Sequence, residues 1–349
     1  MPRNLTIAAL FTFMLCAQAQ AVELYTGEVA VADQGASERQ SAVQAALIQV
    51  LQKQSGLREL PLDPALDAAL MNASRMLVSF HYRSEERAQP DGSERNELRL
   101  VARFLPRAID QVARELGLPR WRHERRPVTL WVVVDDGFGR RLMPVEYQYA
   151  WDALDDLAEL RGLPLEWPQL GEEASGNVDL QLLWGGFTDQ VLPADGDGAG
   201  VVIVAARREG PTWSVRWNVG DAEQTTGWRI RDQDLVDALV DGLHRLADFI
   251  SSRDAIQPSA LGDWRFELVV SGLRDAGDYA HCLAYLEGLG LVDDVDVLAA
   301  SGRDVTFELD LNATPEYLLA EFRRDRRLTE AGANNRFRWV TPGSEETKE

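Results

Sequence analysis

The 349-residue chain carries 56 acidic and 36 basic side chains, a formal net charge of -20, and 45% of its residues are apolar. A chain this acidic repels phosphate backbones and anionic headgroups, which argues against nucleic acid as a partner and leaves membrane contact only to local patches. Lys53 and Lys348 are the only lysines, an arginine bias that GC-rich coding accounts for.

Residues 1–21 read as a secretory signal. Arg3 precedes an apolar run from Leu5 to Cys16, and Ala19-Gln20-Ala21 is the small-x-small pattern that a signal peptidase cuts. The run is about 12 residues, short of the roughly 20 that span a bilayer as a helix. Phe13-Met14-Leu15 ahead of Cys16 is a poor lipobox. The expectation is a soluble periplasmic protein beginning near Val22, with no integral membrane segment after cleavage. Cys282 is then its one cysteine, so no internal disulfide forms.

The first segment, 22–120, opens with a strand over Leu24 to Val31. A helix follows over Gly35 to Gln54, with Val43, Leu47, Val50 and Leu51 on one face and Gly56 as its stop. After an Asp/Pro/Ala-rich stretch come strands at Met76 to Glu86 and Glu94 to Phe104, joined around the turn Pro90-Asp91-Gly92. Pro106 opens a helix that ends at Gly117-Leu118-Pro119. A basic connector from Arg120 to Pro127 leads on.

In the second segment, 127–253, the continuous apolar run Val128 to Val134 predicts a strand buried on both faces. A helix spans about Tyr149 to Arg161, closed by Gly162. Strands are expected at Val178 to Trp184, Gly200 to Arg207 and Thr212 to Val219, then a helix from Asp232, its cap, to about Ser251. Leu235, Leu239, Leu243, Leu246 and Ile250 form its apolar stripe. The third segment, 263–340, reads as a strand at Trp264 to Val270, a helix at Asp275 to Leu286, and strands at Val292 to Leu298 and Asp304 to Leu311. A helix capped by Thr314 with Pro315 at its first position follows, then a closing strand at Arg336 to Val340. The expected fold is α+β in three small modules. The first and last have strand-helix-strand-strand-helix order, the last being ferredoxin-like, and the middle is a mixed sheet with packed helices. Residues 341–349 read as a disordered tail.

Val22-Glu23-Leu24-Tyr25 with Val29 to Gln34, the Ala-rich helix ending in Val50-Leu51 and Ser55-Gly56, and the later Gly162-Leu163-Pro164-Leu165 and Trp184-Gly185-Gly186 resemble the DUF2066 family of bacterial envelope proteins. The resemblance covers most of the mature chain and implies an exported protein. It brings no active-site residues with it.

Several residue groups invite chemistry. Asp135 and Asp136 end the buried strand, where ligands gather in open α/β sheets, and could hold a hard divalent cation; a solvated turn is the plainer reading. Asp195-Gly196-Asp197-Gly198 suggests calcium, but position 206 is Ala where an EF-hand needs Glu, so a turn is expected. Asp293, Asp294 and Asp296 read as edge-solubilising charges. His81, His123, His244 and His281 lack zinc-site spacing. Cys282 falls in a core stripe with Tyr279, Leu283 and Leu286. Trp213 and Trp217 alternate with Val215 and Val219; they could be a glycan-stacking face, but one core-facing side of a half-buried strand is the plainer reading. Two arginine clusters, Arg120 to Arg126 and Arg323, Arg324, Arg326 and Arg327, could dock an acidic partner or lipid headgroups; solvated helix ends and linkers are the plainer reading.

The favoured reading is a non-enzymatic periplasmic protein, without a cofactor, that binds another envelope protein or scaffolds an assembly. The alternative is a metal-dependent or cell-wall-fragment-binding enzyme or binder at Asp135 and Asp136.

Overall fold

The computed structural model describes residues 23–88, 93–122, 125–168, 179–191, 200–220, 225–333 and 335–340. The signal-like segment, the turns at Pro90-Asp91-Gly92 and Asp195 to Gly198, His123 and the tail lie outside them. Among the described residues no helix is long and apolar enough to cross a membrane. The chain is α+β, with three sheets of three, six and five strands.

The first unit contains β1 (Thr26–Ala30), α1 (Ala36–Ser55), α2 (Pro64–Met71), β2 (Leu77–Ala88), β3 (Glu94–Phe104) and α3 (Pro106–Glu115). Its strands lie in the order β1-β3-β2, all antiparallel. Val43, Leu47, Val50 and Leu51 are buried against Leu100, Ala102 and Phe104 of β3, as the helical spacing requires. Strand and helix meet backbone to backbone at Gly27, where a Cβ would stand 2.5 Å from the Ala46 carbonyl oxygen. Gly56 ends α1 in the left-handed region at φ 73°. The Asp/Pro/Ala-rich stretch forms α2. The Asp63 carboxylate accepts the Ala65 N–H at 2.7 Å and Pro64 takes the first turn, a cap-and-proline start legible in the sequence.

The middle unit contains β4 (Val128–Asp135), β5 (Arg140–Leu142), α4 (Gln148–Arg161), β6 (Leu165–Glu166), α5 (Leu180–Gly185), β7 (Gly200–Glu209), β8 (Thr212–Gly220), β9 (Thr225–Asp232) and α6 (Leu235–Asp254). The sheet runs β5-β4-β7-β8-β9, with β6 beside β4. It is mixed: β4 is parallel to β6 and β7, the other pairs antiparallel. The large core lies on the side of α4 and α6. On the other side Val133, Val201 and Ile203 pack with Leu183 of α5, so β4 is covered on both faces.

Two expectations are corrected here. Residues 180–185 are a helix, not the strand expected over Val178 to Trp184. Asp179 accepts from the Gln181 and Leu182 N–H groups at 2.8 and 3.2 Å, and Gly186 stops the turn in the left-handed region. The cap of α6 is Asp234, which accepts from Val236 and Asp237; Asp232 instead accepts the Asp234 N–H at 3.0 Å.

The last unit contains β10 (Leu261–Ser271), α7 (Ala276–Glu287), β11 (Val292–Ser301), β12 (Asp304–Ala313), α8 (Pro315–Asp325), β13 (Leu328–Gly332) and β14 (Arg336–Trp339). The order is β11-β12-β10-β14-β13, with β10 parallel to β14. The succession β10-β12-β11 repeats β1-β3-β2. Thr314 stands at the N-cap of α8 but makes no side-chain cap bond. Where β14 flanks β10, the outer edge of β1 is closed by side chains of α1. The Glu28 N–H donates to Gln49 Oε1 at 2.8 Å, and Lys53 Nζ donates to the Thr26 carbonyl at 2.9 Å.

Candidate functional site

The carboxylates at the end of β4 do not converge. Asp135 lies 3.7 Å from Arg207 Nε on β7. Asp136 receives Arg141 Nη2 at 2.8 Å, the Tyr147 hydroxyl at 3.2 Å and the Phe138 N–H at 3.2 Å. Burial pushes the Asp136 carboxyl up, but these donors together outweigh it and hold it below the usual carboxylate range. A cation there would have to displace an arginine from either acid. Among the described residues no three His, Cys, Asp or Glu side chains are grouped to hold a metal ion.

Trp213 and Trp217 belong to the main core. Trp217 is fully buried and stacks on Trp228, with centroids 6.0 Å apart. Gly242 of α6 makes room for it, since a Cβ there would stand 2.1 Å from the indole. Trp213 meets Tyr147 edge-on. Neither ring offers a sugar an open face. Cys282 is fully buried, and burial pushes its thiol up to about 12, the state of an unreactive core cysteine.

The first arginine cluster is spent inside the molecule. A helix leaves its last four carbonyls without intrahelical donors, and they carry the negative end of its dipole. At the end of α1 these carbonyls gather donors from elsewhere. The Trp121 N–H donates to Gln54 at 2.7 Å, and Arg125 Nη2 to Lys53 at 2.5 Å. Arg161, at the end of α4, donates through Nη2 to the Gly56 carbonyl at 2.9 Å, and Ser251 of α6 adds its hydroxyl at 3.1 Å. Arg161 is almost fully buried, with Asp248 at 2.6 Å and His244 Nδ1 at 2.9 Å from its guanidinium.

The same connector reaches the other units. Arg125 also donates to the Gly162 carbonyl and lies 3.9 Å over the Trp121 ring. Arg120 forms a two-bond backbone bridge with Ile256, and its side chain bonds Asn312. Arg122 and Glu321 of α8 form an ion pair, both largely buried, and Arg126 lies 3.8 Å from Asp325. Charge pairing also joins the first unit to α4: Arg87 of β2 reaches Asp156 at 2.6 Å and Lys53 of α1 reaches Glu159 at 3.6 Å. A cavity of about 300 Å³ beside these pairs is lined by Glu28, Lys53, Arg99, Asp156 and Glu159, charges already matched among themselves. Neither Arg161 nor Ser251 carries a sequence signal of this role; the arginine run in the connector does.

His244 gives this junction a pH dependence. The Arg161 guanidinium can only donate, so His244 Nδ1 accepts and the ring is neutral. Burial, with Arg58 and Arg161 nearby, pushes the ring down from 6.5 to about 4. Between those values the unfolded chain binds a proton that the folded chain does not. Stability should therefore be full above pH 6.5 and fall as the pH drops towards 4. In urea titrations across that window, His244→Gln should flatten the slope. An unchanged slope would count against a neutral, half-buried ring.

The second cluster faces outward in part. Arg324 lies 3.8 Å from Asp254 and 3.7 Å from Glu321, joining the network around Arg122. Arg327 sits over the Tyr285 ring. Arg323 has Glu330 at 3.8 Å, both about two-thirds exposed. Arg326 ends α8 in the left-handed region, at φ 54°, where glycine is the usual residue and the presence of a Cβ carries a strain of about 1 kcal/mol. Arg323 and Arg326 rim a groove of about 300 Å³ whose floor is Phe322, Leu328 and Phe337, all buried.

Residues 18–122 match the model of a family described as Domain of unknown function (DUF8605), a different family from DUF2066. No curated protein gives a significant match. Among solved structures, the N-terminal domain of Protein Y from Thermus thermophilus aligns at 11% identity and a TM-score of 0.20, over 37% of this chain and 98% of that one. A ribosomal subunit interface protein from Coxiella burnetii aligns at 16% identity and a TM-score of 0.15, over 22% and 88%. Superpositions this loose say nothing about what the chain binds.

Proposed function

We propose that the chain is an exported, non-enzymatic envelope protein, a scaffold that binds a protein partner while holding three α+β units in fixed relation. The observation that supports this most is the connector from Arg120 to Arg126. Its described residues bond to the end of α1, to Gly162 and Ile256, and to Asn312 and Glu321, so all three units are tied to one short segment. An assembly scaffold needs this property, because surfaces on different units must keep their spacing when a partner binds. The resemblance to DUF2066 and the signal-like segment support a setting in the bacterial envelope.

The test is recovery of the tagged protein from its own envelope after mild crosslinking, read by mass spectrometry, in three forms. The wild type should bring down a reproducible partner. Glu321→Lys sets like charges together in a largely buried place and should release the last unit from the connector, losing that partner. The exchanged pair Arg122→Glu with Glu321→Arg should regain it. If the wild type brings down no partner, or if Glu321→Lys recovers it undiminished, the scaffold reading is wrong.

A further inference from the structure

The groove between α8 and β13 has three properties that converge on one kind of occupant. Its floor is apolar and buried, formed by Phe322, Leu328 and Phe337, and its volume of about 300 Å³ suits a side chain rather than a whole domain. Its rim carries Arg323 and Arg326 against one acid, Glu330, on a chain of net charge -20, so basic charge outweighs acidic there against the global trend. Its wall is β13, which among the described residues pairs with β14 alone and whose residues Thr329 to Gly332 are exposed.

The arginines are available. Arg326 forms no ion pair among the described residues, and Arg323 shares only a long, exposed contact with Glu330, the kind that water and salt already weaken. Arg326 also holds a left-handed backbone where glycine would be relaxed, and such strain is retained most often where a side chain is needed in place. A guanidinium presents a planar fork that matches a carboxylate with two parallel bonds. The opposite edge of the sheet is different. β11 carries Asp293, Asp294 and Asp296, and its register with β12 is interrupted twice, the usual means of blunting an edge.

We infer that this groove docks an extended acidic segment of a partner protein. An apolar side chain of the segment would sit on the Phe322–Phe337 floor, its carboxylates would pair with Arg323 and Arg326, and its backbone would run beside β13 as an added strand. The inference rests on the scaffold reading above and names the chemistry of its partner.

The probes are a fluorescein-labelled peptide of alternating glutamate and leucine and its lysine–leucine counterpart, titrated with the full chain and followed by anisotropy at low and at physiological salt. The acidic peptide should bind, more weakly as salt rises, and the basic one should not. Arg323→Glu with Arg326→Glu should weaken binding by about tenfold or more, and Arg323→Lys with Arg326→Lys should lose only part of it, since charge remains and the fork does not. Equal binding of both peptides, or binding untouched by the double glutamate variant, overturns the inference. So does tight binding to anionic vesicles that the acidic peptide fails to displace, or a salt-sensitive dimer that Asp294→Lys abolishes, which would make a second copy the occupant. If crosslinking recovers the same envelope partner from the double glutamate variant, the groove proposal falls while the scaffold reading stands. If the wild type has no partner, the scaffold reading falls whatever the peptide does.

Discussion

Arg161→Met should lower the unfolding free energy by about 3 kcal/mol, measured by urea denaturation with tryptophan fluorescence. Methionine keeps much of the volume but none of the donors. The buried Gly56 carbonyl then keeps only the Ser251 hydroxyl, and Asp248 and His244 lose their partner. The control is Arg245→Met. Arg245 pairs with Asp241 at 3.1 Å on the surface, both more than a third exposed, and its loss should cost about 0.5 kcal/mol. Equal effects from the two variants would mean that the end of α1 is not a structural junction.

Gly27→Ala should cost a similar amount, about 3 kcal/mol, although it adds a single methyl group. The new Cβ would stand 2.5 Å from the Ala46 oxygen and 2.8 Å from its Cα, and backbone in the middle of a buried helix cannot step aside. β1 would have to lift from α1, opening the Lys53 and Gln49 bonds that close its edge. Gly302→Ala is the comparison. Gly302 sits at φ 64° with nothing within 4 Å of the added atom, so only conformational strain of about 1 kcal/mol applies. Melting curves that rank the two the other way would show that β1 and α1 have room to separate.

Much of the fold is legible in the sequence where a single element carries its own signal. The spacing of Val43, Leu47, Val50 and Leu51 marks the buried face of α1, the unbroken run Val128 to Val134 marks a strand covered on both sides, and Thr314-Pro315 marks the start of α8. Errors arise where local patterns tie. Asp179 to Trp184 alternates well enough for a strand, and what decides for a helix is the Asp179 carboxylate reaching two N–H groups ahead of Gly186. β9 and β13 are not among the expected strands: Leu328 to Gly332 has little periodicity of its own and owes its state to β14, whereas Trp228-Arg229-Ile230-Arg231 does alternate as a half-buried strand beside β8 requires.

The candidate site is harder to read for a related reason. That Asp135 and Asp136 are neutralised depends on Arg207 and Arg141, which come from different strands. The arginine runs are visible as runs, yet which of them are used inside depends on distant acceptors. Arg125 bonds a carbonyl 72 residues before it, while Arg326 finds no acid at all among the described residues. Alternation with Val215 and Val219 puts Trp213 and Trp217 on the core face, but the room for the Trp217 ring comes from Gly242 of α6, a packing fact that no alternation rule supplies.

The end of α1 also sets a timetable. Synthesis delivers the first unit first, complete with its strands and its helix, but two donors for the Gly56 carbonyl lie 105 and 195 residues downstream. At about 5 to 20 residues per second, Ser251 arrives roughly 10 to 40 seconds after Gly56 has been made. Throughout that interval the Gly56 carbonyl waits for both donors, and a fragment cut at residue 122 would never receive either. The nascent N-terminal unit is thus a dependent of the chain that follows it, finished only when the last turn of α6 has emerged.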